Sequence, residues 1–185
     1  MKVTLFTGNQ ERHNYFINLL SDTVTELNVI QESRTLFPGV VSGGYPQSDL
    51  MRDYFLKVST VQKKIFCTDS ISSKKKNINF IHSDLTKKDL PKVDLIICRD
   101  ALTHLPLDMG IRAKKNFVKS KSKYLLSTTY SNINKNIDIL KGNFRPINLL
   151  KSPYTFGKPL LLINEKCTEK NLKYKKKCLG LWKIN

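Results

Sequence analysis

The amino-acid sequence predicts an α/β fold: a mostly parallel seven-stranded sheet between two layers of helices, closed by an antiparallel C-terminal hairpin. Three observations predict it. Lys2–Thr7 is a strand pattern that runs into Gly8-Asn9 and then into a helical pattern over Glu11–Leu20, the opening of a βαβ unit. Leu95–Cys98 is an unbroken apolar run, the mark of a strand buried on both faces, and it stops abruptly at the charged pair Arg99 and Asp100. Leu160–Asn164 and Cys178–Ile184 are strand patterns joined by the basic stretch 170–177 with no crossover helix between them, so they pair antiparallel.

In order, the strand Lys2–Thr7 is followed by the helix Glu11–Leu20, whose apolar face is Tyr15, Phe16, Leu19 and Leu20, and by a second strand, Leu27–Ile30. Residues 37–48 carry Pro38-Gly39, Gly43-Gly44 and Pro46 and form a loop or lid. Ser48 caps a helix over Asp49–Phe66, with Tyr54, Phe55, Val58, Val61, Ile65 and Phe66 at helical intervals, and a Lys-rich joint follows over 68–77. Ile78–His82 is the third strand and the run ending at Arg99 the fourth. A helix over Asp108–Val118, with Met109, Ile111, Ala113 and Phe117 toward the core, leads to the fifth, Tyr124–Thr129. Residues 132–159 are polar and broken by Gly142, Pro146, Pro153, Gly157 and Pro159, which reads as a substrate-side insertion.

The length of 185 residues fits a single domain with a sizeable core, and 40% hydrophobic and 9% aromatic content exclude wholesale disorder. No run approaches the roughly 18 apolar residues of a membrane helix, and the amino terminus is broken too soon for a signal peptide, so a cytoplasmic location is expected. The net charge of +17 is nearly all lysine, 26 Lys against 6 Arg, beside abundant Asn and Ile, as an AT-rich coding sequence produces. Lysine is the weaker residue for bidentate phosphate or base contacts, and the dense patches at Lys74–Lys76 and Lys173–Lys177 lack an interleaved stacking platform. A solvated basic surface is expected rather than specific nucleic-acid binding. Cys67, Cys98, Cys167 and Cys178 show no C-x-x-C pair, so neither a metal site nor a disulfide framework is expected.

Chemistry concentrates at the strand ends. Open α/β sheets bind ligands at the carboxyl ends of their strands, and Arg99, Asp100 and His104 crowd one such end. Glu32 follows the second strand, where the acidic residue of nucleoside-binding Rossmann folds accepts from both ribose hydroxyls. The first turn holds only Gly8, with Asn9, and not the G-x-G-x-x-G that lets a backbone approach a pyrophosphate closely.

From about Phe80 to Asn185 the sequence resembles a bacterial family of class I S-adenosylmethionine-dependent methyltransferases. The matching segments are Ser83-Asp-Leu-Thr, Val93-Asp-Leu-Ile-Ile-Cys-Arg-Asp-Ala-Leu-Thr-His-Leu, Tyr124-Leu-Leu-Ser-Thr-Thr-Tyr, Phe144-Arg-Pro-Ile-Asn-Leu, Pro159-Leu-Leu-Leu-Ile-Asn-Glu and Leu179-Gly-Leu-Trp-Lys. Residues 1–66 instead resemble the amino-terminal part of formyltransferase-like proteins, through Leu5-Phe-Thr-Gly-Asn-Gln-Glu-Arg-His, Val29-Ile-Gln-Glu and Phe37-Pro-Gly. Together these imply a single Rossmann-like three-layer domain spliced from two halves. The methyltransferase resemblance implies S-adenosylmethionine as cofactor. Asp84, with Leu85, would take the adenine, and Arg99 and Asp100 would line the pocket beside the sulfonium. Gly8-Asn9 is the only substitute for the family's glycine-rich loop, and the residues that perform formyl transfer lie in the half this chain lacks.

Methyl transfer needs an acceptor held in line and, for some acceptors, a base, for which Asp100 and His104 are the candidates. The expected function is therefore methylation of a small molecule by this chain or by a cofactor-binding derivative. The alternatives are a formyltransferase-like enzyme acting on an amino sugar, a non-catalytic binding or regulatory protein and, last, a basic nucleic-acid binder. The sequence does not fix an oligomeric state.

Overall fold

The computed structural model describes residues 1–8, 10–31, 49–66, 76–140 and 143–185. Seven strands form one sheet: β1 (Lys2–Thr7), β2 (Glu26–Gln31), β3 (Ile78–Phe80), β4 (Leu95–Cys98), β5 (Tyr124–Tyr130), β6 (Leu161–Asn164) and β7 (Lys177–Lys183). Their spatial order is β3-β2-β1-β4-β5-β7-β6. The first five run parallel, and β7 lies antiparallel between β5 and β6. Parallel set and terminal hairpin are both as the sequence predicts. Because β1 pairs with β4 as well as β2, the amino-terminal residues and the C-terminal half share one sheet.

The centre of the sheet is buried on both faces, which is why its strands read as continuous apolar runs. The two-residue period persists inside those runs. Leu95 and Ile97 join Val3, Leu5, Leu27 and Val29 on the face covered by Ile17 of α1 (Glu11–Ser21). Ile96 and Cys98 join Phe6, Leu125 and Trp182 on the other, beneath Ala113 and Phe117 of α3 (Leu107–Lys119). Each such Leu, Ile or Phe contributes about 1.5–3 kcal/mol relative to exposure.

Three expectations need correction. In α1 the sheet buries Ile17 and Ser21, with Leu20 beside them, and leaves Tyr15, Phe16 and Leu19 exposed. A helical period identifies a stripe but not which neighbour takes it. Here Tyr15 turns to a second helix, α2 (Asp49–Phe66), its ring centroid 5.6 Å from that of Phe66. In α3 the buried positions are Gly110, Ala113 and Phe117, with Met109 and Ile111 only half-buried. Gly110 is required because the Tyr154 hydroxyl occupies the place of a Cβ.

The third correction concerns the long excursion after β5. It is a layer of the core rather than an insertion: Ile147, Leu149 and Tyr154 are fully buried in the cluster that holds Phe117 and Trp182. Irregular backbone can be buried only if its polar groups find partners. Two buried amides provide them. Asn136 Nδ2 donates to the carbonyls of Asn148 (2.9 Å) and Ser152 (2.8 Å), the Asn148 N–H donates to Asn136 Oδ1 (2.8 Å), and Asn148 Nδ2 donates to the Ile133 carbonyl (2.8 Å). Tyr130 N–H extends β5 onto this layer by donating to the Ile147 carbonyl at 2.7 Å. A short helix, α4 (Glu169–Leu172), lies in the β6–β7 connection.

Candidate active site at the carboxyl edge

The strand order reverses between β1 and β4, since β2 and β3 continue to one side and β5 to the other. A crevice opens at such a switch point outside the carboxyl ends of the strands. Gly8 ends β1 there, and Gln31 at the end of β2 pins it: Gln31 Nε2 donates to the Gly8 carbonyl and to Asn14 Oδ1, both at 3.0 Å. In the first turn of α1, His13 Nδ1 accepts from the Gln10 N–H at 3.2 Å, so the neutral ring carries its proton on Nε2. Burial pushes the His13 pKa down to about 4, and the charges of Arg12 and Arg99 act in the same direction. His13 is therefore an uncharged donor in the first turn of α1, within electrostatic reach of Arg99 and Asp100 beyond β4. Cys98, the last residue of β4, is inert, its thiol pushed up to about 12 by burial.

Two residues beyond β4, Asp100 takes a left-handed φ of 62°. A non-glycine residue there carries strain of about 1–3 kcal/mol that the surroundings must hold. They do so from three strands. The Asp100 N–H donates to Thr128 Oγ1 of β5 (2.9 Å), and that hydroxyl donates to Asp100 Oδ1 (3.2 Å). Lys177 Nζ, from the first residue of β7, lies 2.8 Å from Asp100 Oδ2, and Arg99 is 3.3 Å from the same oxygen. Glu165, just past β6, completes the group: Arg99 Nε donates to its Oε1 at 2.8 Å, and Lys177 Nζ lies 3.5 Å from its Oε2. The Lys177 and Glu165 side chains are only 10% and 13% exposed, against 32% for Asp100 and 50% for Arg99, so two cations and two anions balance with Lys177 and Glu165 on the dry side and Arg99 on the wet one. Residues far apart in sequence meet because β6 ends and β7 begins at the edge where the parallel strands end.

His104 closes a 3-10 turn over Ala101–His104. Its Nδ1 lies 3.2 Å from the Asn143 carbonyl, which fixes the proton on Nδ1 and leaves Nε2 as a lone pair. The His104 ring begins an aromatic row: Phe144 at 5.5 Å, then Tyr174 at 5.5 Å from Phe144, then Tyr130 at 5.9 Å from Tyr174. Tyr130 is the inner end. Burial, then the Asp100 charge, raises its phenol pKa above the ordinary value.

Asp84 lies four residues past the end of β3, which stands three strands away from β4 in the sheet. Its Oδ1 closes its own turn, accepting from the Thr86 N–H (2.9 Å) and hydroxyl (2.8 Å), and Lys87 Nζ is 3.7 Å from Oδ2. Leu85 packs on the core and its carbonyl accepts from Asn116 Nδ2 at 2.8 Å. Beside them the buried Ser83 Oγ has no hydrogen-bond partner among the described residues, and the same holds for Glu165 Oε2 just past β6. Asn9 and Glu32 lie outside the described residues. The structure thus brings Arg99 and Asp100 to the strand end beside that of β1, which Gly8 follows, and sets Asp84 and Leu85 in the segment past β3. His13, Thr128, Glu165 and Lys177 went unnoticed in the sequence. The predicted hairpin held the signal for the last two, since the residues flanking its turn had to reach the carboxyl edge.

No family model and no curated protein matches the chain. Solved structures do. An O-methyltransferase family 2 protein from Planctomyces limnophilus in complex with apigenin aligns with a TM-score of 0.51 at 10% identity, over 98% of this chain and 50% of its own. Magnesium protoporphyrin IX methyltransferase from Synechocystis with bound SAM (S-adenosylmethionine) gives 0.53 at 9% identity, over 96% of this chain and 67% of its own. The pyocyanin biosynthetic protein PhzM gives 0.54 at 6% identity, over 98% and 50%. The fold is that of class I methyltransferases. At such identities the likeness is one of fold, and the chain spans about half the length of the first and third of these proteins. Because the likeness runs through the amino-terminal half as well, the formyltransferase resemblance of residues 1–66 finds no support.

Proposed function

We propose that the chain is an S-adenosylmethionine-dependent methyltransferase acting on a small molecule, residues 1–185 forming one cofactor-binding domain. The observation that carries this is the charge-balanced group around Asp100 at the switch-point edge of a β3-β2-β1-β4-β5-β7-β6 sheet. The residues fit the cofactor along that edge. Ser83 Oγ, buried without a partner beside Asp84 and Leu85, is an orphan that an adenine would satisfy. Glu32 would meet the ribose, Gly8 and Asn9 the methionine part with Arg12 near its carboxylate, and Arg99 and Asp100 the neighbourhood of the sulfonium.

When bound, S-adenosylmethionine supplies a methyl group on a sulfonium that carries its own leaving group. The chain's task is then to orient the acceptor and take its proton. Asp100 already accepts from Thr128 and faces Lys177 and Arg99, so its part is orientation and charge. His104, with Nε2 free of any partner among the described residues, is the better base, and Phe144 beside it offers a face for a planar acceptor. The glycine-poor first turn favours a second reading, a domain that binds the cofactor without catalysis.

Calorimetric titration with S-adenosylmethionine, S-adenosylhomocysteine and a folate tests the proposal. We expect the first two to bind, with dissociation constants on the order of tens of micromolar, and the folate not to bind. Asp84→Ala or Glu32→Ala should weaken binding about ten- to a hundredfold, the value of a lost charge-assisted hydrogen bond. No binding at millimolar S-adenosylmethionine would overturn the proposal, and binding indifferent to both substitutions would move the site elsewhere.

A further inference from the structure

We infer that Lys177 is a positioning residue of this site, acting through Asp100; the inference rests on the function proposed above. A lysine this buried is held by its anions, and Lys177 meets two of them, Asp100 Oδ2 at 2.8 Å and Glu165 Oε2 at 3.5 Å. Without its ammonium the two carboxylates would share only the half-exposed Arg99, whose Nε serves Glu165 and whose Nη1 serves Asp100. Glu165 Oε2 has no hydrogen-bond partner among the described residues, so that buried oxygen would lose its one cation and push on Asp100. The Asp100 φ of 62° is held by Thr128 on one side and Lys177 on the other, and only Lys177 grips the outer oxygen with a nearly buried charge.

The competing account is that Lys177 merely latches the β6–β7 hairpin to the end of β4. The two accounts differ in one measurable respect. A latch would also act through Glu165, which Lys177 braces and which holds Arg99 at the end of β4, so part of its effect would survive loss of the Asp100 carboxylate, whereas a positioning residue acts through that carboxylate and its removal should matter little once it is gone. Asp100→Asn is the right partner substitution, because asparagine tolerates a left-handed φ and removes the charge without adding backbone strain.

The experiment is a double-mutant cycle on S-adenosylhomocysteine affinity with native chain, Lys177→Met, Asp100→Asn and the double variant, each checked for cooperative thermal unfolding. We expect each single substitution to weaken binding about tenfold, the double variant to stay within about twofold of Asp100→Asn, and Lys177→Arg to recover most of the native affinity. Losses that multiply in the double variant, or native affinity in Lys177→Met, would overturn the inference while leaving the proposed function standing. Absence of binding by the native chain would instead remove the proposed function, and this inference with it. If Lys177→Met does not fold, Lys177→Gln, which keeps a donor but no charge, runs the same cycle.

Discussion

The two edges of the sheet carry ion pairs of the same composition and very different weight. At the amino edge Lys2 meets Glu26 at 2.7 Å, Lys123 meets Asp94 at 2.7 Å and Lys119 meets Asp89 at 2.6 Å. At the carboxyl edge Lys177 meets Asp100 at 2.8 Å and Arg99 meets Glu165 at 2.8 Å. Distance does not separate the two sets; exposure does. The amino-edge lysines are 59–66% exposed, against 10% for Lys177. Water and salt screen the first set, so it decorates the strand starts. In the second, Lys177 and Glu165 depend on their partners because little solvent can replace them, although Asp100 is as exposed as Asp94, at 32%, and such a group can hold a side chain in a strained, useful place.

Removing one partner at the carboxyl edge should therefore have the largest effect. Lys177→Met should cost about 3 kcal/mol in urea-unfolding free energy, because it leaves the nearly buried Glu165, and Asp100 beside it, with Arg99 as their remaining cation. A cost indistinguishable from that of a surface lysine would erase the distinction between the edges. Next comes His13, which joins the β1 turn to the same edge. Its pKa is depressed from the ordinary 6.5 to about 4 in the folded chain, so the unfolded chain binds the proton first as acid is added. The stability held by the neutral ring is complete above about pH 6.5 and is lost progressively as pH falls toward about 4. Urea unfolding at pH 7 and pH 5 should show His13→Gln less acid-sensitive than the native chain; equal sensitivity would place the acid response elsewhere.

The carboxyl edge was half legible in the sequence. The abrupt change from Cys98 to Arg99 and Asp100 marked a strand end with its polar cargo, and the unbroken apolar run Leu95–Cys98 marked that strand as buried on both faces. Lys177 was hidden in plain view. It closes a stretch holding Lys173, Lys175 and Lys176, and nothing in composition separates the one buried lysine from its exposed neighbours. Only pairing β7 against β5 in its register, with Lys177 opposite Tyr130, carries it to Asp100. Ile147, Leu149 and Tyr154 were missed for another reason. They enter the core without any period, on irregular backbone, and what allows it is the pairing of Asn136 with Asn148, residues that in sequence look like loop filler. The aromatic row failed similarly, since Phe144 and Tyr174 belong to separate irregular stretches that meet only in space.

The smallest expected effect belongs to the amino edge and completes the comparison. Asp94 accepts from the Lys2 N–H at 2.8 Å as well as pairing with Lys123, and these two partners, Lys123 first, hold its carboxyl below the usual carboxylate range. The sign follows from that depression. Whatever Asp94 adds to stability is present at neutral pH and disappears only in acid, below the ordinary aspartate range. Lys123→Met removes the screened partner and leaves the backbone donor from Lys2, so at neutral pH the unfolding midpoint should move slightly at low salt. At about 0.5 M salt, where the Debye length shrinks to a few ångströms, it should not move measurably. Lys177→Met should keep most of its cost under that salt, because ions do not enter a group whose lysine is 10% exposed. If salt erased both effects alike, the carboxyl-edge group would be a surface network, and its hold on the left-handed Asp100 would rest on Thr128 alone.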